Sequence, residues 1–305
     1  MKYIYFKSER GNFGDDLNAW LWPKIFGDIP EDISKDFVFW GIGSILFNEN
    51  KLIKDGIGKK NLVFGTGIRP SPNYKPFTMN GNWDIRFLRG PLSVSALGNR
   101  FSYITDAAYA LRQLDNFSCY MASEKKYEVS LMPYYRSMGY FDCKKICAKL
   151  GYHYISPFSE DGVEFTIKEI AATKHLITEA MHGAIVADLL RTPWHRYILT
   201  TPYTEGAMVS EFKWNDWLMS VNIHGLESTV VKFYRRSVLH GYLKKFTRDF
   251  LSLEILYKPK VKADLLFQLA SVNKYCLSDD EIIKDIDKKI ANQIKELKIH
   301  INSTA

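Results

Sequence analysis

Short apolar segments, each closed by a glycine-bearing turn, recur through the first half of this chain, and that recurrence restricts the fold more than any other feature. Lys2 to Phe6 leads into Gly11-Asn12-Phe13-Gly14-Asp15-Asp16 and then a helix-like stretch from Leu17 to Phe26. Phe37 to Trp40 leads into Gly41-Ile42-Gly43-Ser44, and Asn61 to Phe64 into Gly65-Thr66-Gly67-Ile68-Arg69-Pro70. Asp84 to Leu88 leads into Arg89-Gly90-Pro91-Leu92-Ser93, where Pro91 suits the first turn of a helix running to Leu97. Strand, glycine turn and helix in repeated succession predict an α/β fold, a parallel sheet with helices on its faces.

The polar stretch from Leu114 to Lys126 reads as a linker. After it the alternation resumes. Strands are expected over Glu128 to Pro133, Tyr152 to Ser156, His175 to Thr178 and Trp194 to Leu199, with helices over Phe141 to Leu150, Thr166 to Ala172 and Ala180 to Leu190. Two Rossmann-like domains, 1–115 and 127–231, facing each other across a cleft are the natural assembly, with ligands at the C-terminal ends of the strands. From Arg235 onward apolar residues recur at helical spacing (Leu239, Tyr242, Leu243, Phe246, Phe250, Leu253, Tyr257), which predicts a helical extension over 232–305. Its last helix, Asp279 to Ile299, opens on Ser278-Asp279-Asp280-Glu281, an N-cap with acids in the first turn.

The length, 305 residues, suits two domains of about 120 to 150 residues each. With 46% hydrophobic and 25% charged residues, wholesale disorder is excluded. No apolar run approaches the ~18 residues of a membrane span and no signal segment opens the chain, so a cytoplasmic location is expected. Cys119, Cys143, Cys147 and Cys276 form no CxxC pair and are read as buried structural thiols, not a zinc site. The net charge of +7 is concentrated: nine basic residues stand against two acids between Lys232 and Lys262. A nucleic-acid-binding surface would spread its charge more widely, so none is expected. An amphipathic basic helix here either lies against anionic lipid or packs its apolar face and leaves the basic one in water; both readings stay open.

Glycine turns after strands expose backbone N–H groups, a ready anion site, although none has P-loop or GxGxxG spacing. Three cations are expected at strand ends: Arg69, Arg89 and Lys213. Ser93 stands one turn after Arg89 on the same helix face, and an arginine with a hydroxyl so placed can hold a phosphate or carboxylate. In Thr178-Glu179-Ala180-Met181-His182-Gly183 a strand ends and a helix opens, which puts His182 in the first turn beside the cleft. There it is a candidate acid–base group, its proton disfavoured by the helix dipole and favoured by Glu179.

Taken in order, these residues resemble the polysaccharide pyruvyl transferases over roughly the first 220 residues. Gly11-Asn12-Phe13-Gly14-Asp15-Asp16 resembles the family's N-x-G-D turn, and Trp40-Gly41-Ile42-Gly43-Ser44 and Phe64-Gly65-Thr66-Gly67-Ile68 its two G-x-G turns. Arg89-Gly90-Pro91-Leu92-Ser93 is similar to its Arg-x-x-x-Ser element. Thr105-Asp106-Ala107-Ala108 is similar to its D-P-A turn, with Ala107 in place of proline. Met181-His182-Gly183 resembles its R-L-H-G hallmark, but Ala180 stands where the family has an arginine that helps bind the donor. The Glu-Ala-Met-His-Gly form is similar to the exopolysaccharide ketal-forming, succinoglycan-type branch.

The resemblance implies a GT-B-like fold and an enzyme of exopolysaccharide or capsule biosynthesis. Phosphoenolpyruvate would be its co-substrate, forming a cyclic pyruvate ketal on two sugar hydroxyls and releasing phosphate, with no metal or other cofactor. It implies His182 and Glu179 as catalytic residues, with the donor on Arg89, Ser93, Lys213, Arg69 and Gly183. Asn12, Asp15, Asp16, Gly43, Ser44 and Asp106 would line the acceptor side. The acceptor would be an undecaprenyl-diphosphate-linked oligosaccharide, and residues 232–262 would rest on the inner membrane face. The alternatives are a GT-B glycosyltransferase using a nucleotide sugar, and a catalytically silent glycan-binding subunit.

Overall fold

The computed structural model describes residues 1–27, 29, 35–70, 77–233 and 254–303. In chain order the regular elements begin with β1 (Lys2–Ile4), α1 (Phe13–Phe26), β2 (Phe37–Trp40), β3 (Lys60–Phe64), β4 (Trp83–Phe87), α2 (Pro91–Ala96) and α3 (Phe117–Met121). They continue with β5 (Tyr127–Met132), α4 (Cys143–Leu150), β6 (His153–Tyr154), α5 (Val163–Ala171), β7 (Thr173–Thr178), α6 (Met181–Leu189) and β8 (Trp194–Ile198). The remainder are α7 (Ala207–Ser220), β9 (Ser228–Val230), α8 (Glu254–Ala270) and α9 (Asp280–Ser303).

Two parallel sheets organise the chain. The first has the order β1-β2-β3-β4 and the second β6-β5-β7-β8-β9. All four residues of β2 are buried, as a parallel strand covered on both faces must be. The molecule is a mixed α/β fold with parallel sheets, as the strand–turn pattern predicts.

The structure corrects several expectations. Among the described residues of the first sheet, β1 and β4 lead into α-helices, whereas after β2 the chain makes a 3-10 turn, Lys51–Gly56, capped by the Asn50 side chain. Helix α1 begins at Phe13, four residues early, because the Asp16 carboxylate reaches back to accept the Asn12 N–H at 2.9 Å. The expected linker is partly core: Phe117 and Tyr120 of α3 are buried. Cys143 and Cys147 are buried as expected, whereas Cys119 is exposed.

The C-terminal residues are no appendage. Ile283, Ile286, Ile290, Ile294, Leu297 and Ile301 of α9 follow helical spacing and enter the same apolar cluster as α1, α5, α6 and the 107–114 segment. Val261, Leu265 and Leu269 of α8 complete a second cluster with β5 and α4. The start of α9 is held by Asp188, whose carboxylate accepts the Ser278 N–H at 2.9 Å and hydroxyl at 2.5 Å, and the Tyr109 hydroxyl at 2.7 Å. Ser278 is thereby unavailable as a cap; Asp279 does that work, accepting the Glu281 N–H at 2.8 Å. Most of the basic stretch, 234–253, lies outside the described residues, including Arg235, Arg236, Lys244, Lys245 and Arg248. No helix among the described residues is long and apolar enough to cross a membrane.

Candidate active site

A pocket of about 320 Å³ lies where the starts of α1 and α6 meet. It takes lining residues from loops after β1, β2, β5, β7 and β8, so both sheets present the C-terminal ends of strands to it. Asn12 and Ala180 precede the two helices in extended backbone, and neither caps its helix with its own side chain. Backbone N–H groups at such starts favour an anion. The junction is close: Phe13 N–H donates to the Pro157 carbonyl at 2.9 Å, and a methyl group on Gly14 would collide with Nδ1 of His182. Residue 14 must therefore be glycine for α1 to approach the imidazole.

His182 lines the pocket and sits in the first turn of α6, where the sequence places it. Its acidic neighbour is Asp106, with Nε2 at 3.7 Å from Oδ1, within ion-pair range but too long for a hydrogen bond. Nε2 and Asp106 Oδ2 are both buried without hydrogen-bond partners among the described residues. Burial pushes the Asp106 carboxyl up, but the His182 imidazole and the Arg89 guanidinium outweigh it and hold the group below the usual carboxylate range.

Glu179 does not have the role expected of it. Its Oε1 accepts backbone N–H groups from Leu199 (3.0 Å), Thr200 (2.6 Å) and Thr201 (3.0 Å), and its Oε2 the Ser137 hydroxyl at 2.5 Å. Burial pushes its pKa up despite these donors. The carboxylate borders the pocket but anchors the loop after β8, leaving Asp106 to face the histidine.

Arg89 and Ser93 are also redirected. Arg89 is fully buried, its Nε donating to Asp216 Oδ2 at 3.0 Å and its Nη1 to the Ser44 hydroxyl at 2.6 Å. Ser93 donates its hydroxyl to Asp216 Oδ2 at 2.6 Å and its backbone N–H to Oδ1 at 2.9 Å. The anion that the arginine–serine pattern requires is thus a carboxylate of α7. Neither residue lines the pocket; Arg89 reaches its wall through Ser44. Gly183 faces Thr178 and Met132 and admits close helix–strand packing, away from the pocket.

The pocket's cations come from elsewhere. Lys213 lies in the middle of α7, not ahead of a helix, and its Nζ is 2.6 Å from Glu205 Oε1. Arg69 Nη1 lies at 4.0 Å from the same oxygen. Arg136, which no sequence pattern marks, follows β5 and lines the same pocket. Burial pushes Glu205 up, yet Lys213, Arg69 and Arg136 together draw it below its ordinary value. Three cations thus gather at one carboxylate on this side of the pocket, whose other lining acids are Asp15 and Glu179.

Asn12, Asp15, Gly43 and Ser44 line the pocket, while Asp16 and Asp106 lie behind its wall. Asp15 Oδ2 accepts from Asn12 Nδ2 at 2.6 Å. Burial pushes the Asp15 carboxyl up to about 6, against the opposing influence of His182, Lys213 and Asn12. A carboxyl raised on folding binds more protons in the native than in the unfolded state between its two pKa values. Its contribution therefore opposes folding increasingly as pH rises from about 4 to about 6. Asp15→Asn should remove that slope, so denaturant midpoints of wild type and variant should diverge across this window. Parallel midpoint–pH curves would contradict it.

The succinoglycan biosynthesis protein ExoV of Rhizobium meliloti (strain 1021) is 31% identical over 227 residues, covering 73% of this chain and 66% of its own length. The chain belongs to the polysaccharide pyruvyl transferase family. The match spans just under two thirds of that relative. No family model matches the chain. Among solved structures, a Klebsiella pneumoniae protein of uncharacterised function, KP1_0663, is 17% identical with a TM-score of 0.41, covering 67% of this chain and 86% of its own. The wall teichoic acid polymerase TagF is 12% identical with a TM-score of 0.36, covering 86% and 73% respectively.

Proposed function

We propose that the protein transfers the pyruvyl unit of phosphoenolpyruvate onto two hydroxyls of one sugar in exopolysaccharide or capsule biosynthesis, forming a cyclic ketal and releasing phosphate. The observation that carries this reading is the joining, in one pocket, of a helix-start histidine with Arg69, Arg136 and Lys213. The chemistry requires both. The donor is small and trianionic, and the reaction moves two protons. C3 of the enol gains one, two hydroxyl oxygens bond to C2, and the C2–O bond to phosphate breaks. Of the two hydroxyl protons released, one balances C3 and the other leaves on the phosphate, so no oxidant or reductant is needed.

In this reading the phosphate sits near the starts of α1 and α6, with Lys213, Arg69 and Arg136 neutralising it. His182, backed by the Asp106 charge, carries a proton between a hydroxyl and the donor. Arg89, Ser93 and Asp216 hold the wall formed by Ser44, and Glu179 fixes the loop ahead of Glu205. The arrangement suits a GT-B-like pair of domains, 1–115 and 127–231, with the acceptor entering from the first. A lipid-linked oligosaccharide is the acceptor class proposed, presented at a membrane surface.

The test is phosphate release from phosphoenolpyruvate, dependent on an oligosaccharide acceptor, with the ketal identified by mass spectrometry. Turnover of a nucleotide sugar in its place would overturn the reading. Lys213→Ala should raise the KM for phosphoenolpyruvate about 10- to 100-fold, since a charge-assisted bond to an anion contributes about 1.5 to 3 kcal/mol. An unchanged KM would put the phosphate elsewhere.

A further inference from the structure

Beside the pocket runs a second, open depression of about 670 Å³, lined by the 6–10 loop after β1, the 135–140 segment after β5, Phe158 and Thr204. It shares Phe6, Tyr135 and Arg136 with the pocket, so the two form one continuous surface. We propose that this groove is a glycan subsite that seats the sugar residues next to the one being modified; the proposal rests on the pyruvyl transfer reading above.

Its chemistry fits a pyranose, which offers an apolar C–H face and a rim of hydroxyls. Phe6, 46% exposed, offers part of its ring to the surface where the groove and the pocket meet. Tyr135 and Tyr140 add half-buried rings with a polar tip, the type of side chain that serves surfaces apolar at one end and wet at the other. Hydrogen-bonding groups stand between the rings. Arg10 has its guanidinium carbon 4.1 Å from the Phe158 ring centroid and its Nη2 3.3 Å from Glu160 Oε1, two contacts that hold it at the groove. Lys7 is exposed beside Phe6, and Arg136 is fixed by bonds to the Thr204 carbonyl (2.6 Å) and the Tyr135 hydroxyl (2.8 Å). Position decides the occupant. The pocket accommodates a small donor and one ring, whereas an oligosaccharide must continue outward, and the groove is the depression that opens from the pocket's edge.

The test compares two acceptors with the full-length protein: a single-sugar glycoside and an oligosaccharide ending in the same sugar. Lys7→Ala and Arg10→Ala, both at exposed positions in the groove and outside the pocket, should raise the KM for the oligosaccharide about tenfold. The KM for phosphoenolpyruvate and the rate on the single-sugar glycoside should stay within twofold. Binding of the oligosaccharide without donor, followed by calorimetry, should weaken in parallel. If pyruvyl transfer occurs but the oligosaccharide KM and affinity are unchanged in both variants, the groove is not the subsite. If no acceptor supports transfer while the calorimetric affinity still falls in the variants, the groove assignment stands and the reaction assignment fails.

Discussion

Replacing His182 by glutamine should lower kcat by about 10²- to 10⁴-fold, the usual worth of a general acid–base group. Glutamine keeps a side chain in contact with α1 and preserves a polar atom near Asp106, so the fold should survive; circular dichroism and the denaturant midpoint check that directly. The KM for phosphoenolpyruvate should change less than kcat, because the lost interaction is chiefly with the transition state. A variant with near-normal turnover would assign the histidine to packing against Gly14 and leave the proton transfers to other groups.

Removing Asp216 should produce the largest loss of stability in the protein. Asp216 and Arg89 are each fully buried and paired at 3.0 Å, and the same carboxylate accepts both donors of Ser93. Asp216→Ala leaves a guanidinium charge in the interior with Ser44 as its remaining hydrogen-bond acceptor, which costs roughly 3 to 5 kcal/mol. Arg89→Ala strands the carboxylate and should cost a similar amount, whereas the double variant should recover part of the loss. Equilibrium denaturation of the three variants gives the coupling energy as a double-mutant cycle. Near-additive effects would show that the pair contributes little as a pair. Donor affinity supplies a second readout. Arg89 acts through Ser44, so KM should shift less in Arg89→Ala than in Lys213→Ala.

The strands of the first sheet were legible because each is a short apolar run followed by a glycine-bearing turn, and that pattern is local; β9, only three residues long, carries no such mark. Phe37–Trp40 matches its expected bounds, and the other three strands of the first sheet lie within two residues of theirs. His182 was placed at a helix opening for the same reason. The partners of the charged groups were not legible, because they depend on contacts far apart in sequence. Arg89 meets Asp216 across 127 residues, and Glu179 receives its amides from residues 199–201 after a helix and another strand. An arginine and serine one turn apart signal that an anion is nearby without saying whether it belongs to a ligand or to the chain. Arg136 had no local marker: it follows a strand in a segment with no glycine turn, and only the β5–β7 pairing brings it beside the end of β7. The helical pattern near the C-terminus was readable, and α9 lays its apolar face on the core; the choice between lipid and core concerned 232–262, most of which lies outside the described residues.

The contact between Gly14 and His182 ties the catalytic geometry to the register between the two halves of the molecule. The backbone of α1 forms the wall against Nδ1, and α1 is joined to the other half through Phe13 and the Pro157 carbonyl. A hinge motion that widened the pocket would withdraw that wall and free the imidazole to rotate. Any displacement of α1 relative to α6 would therefore change the space around the imidazole as well as the width of the pocket.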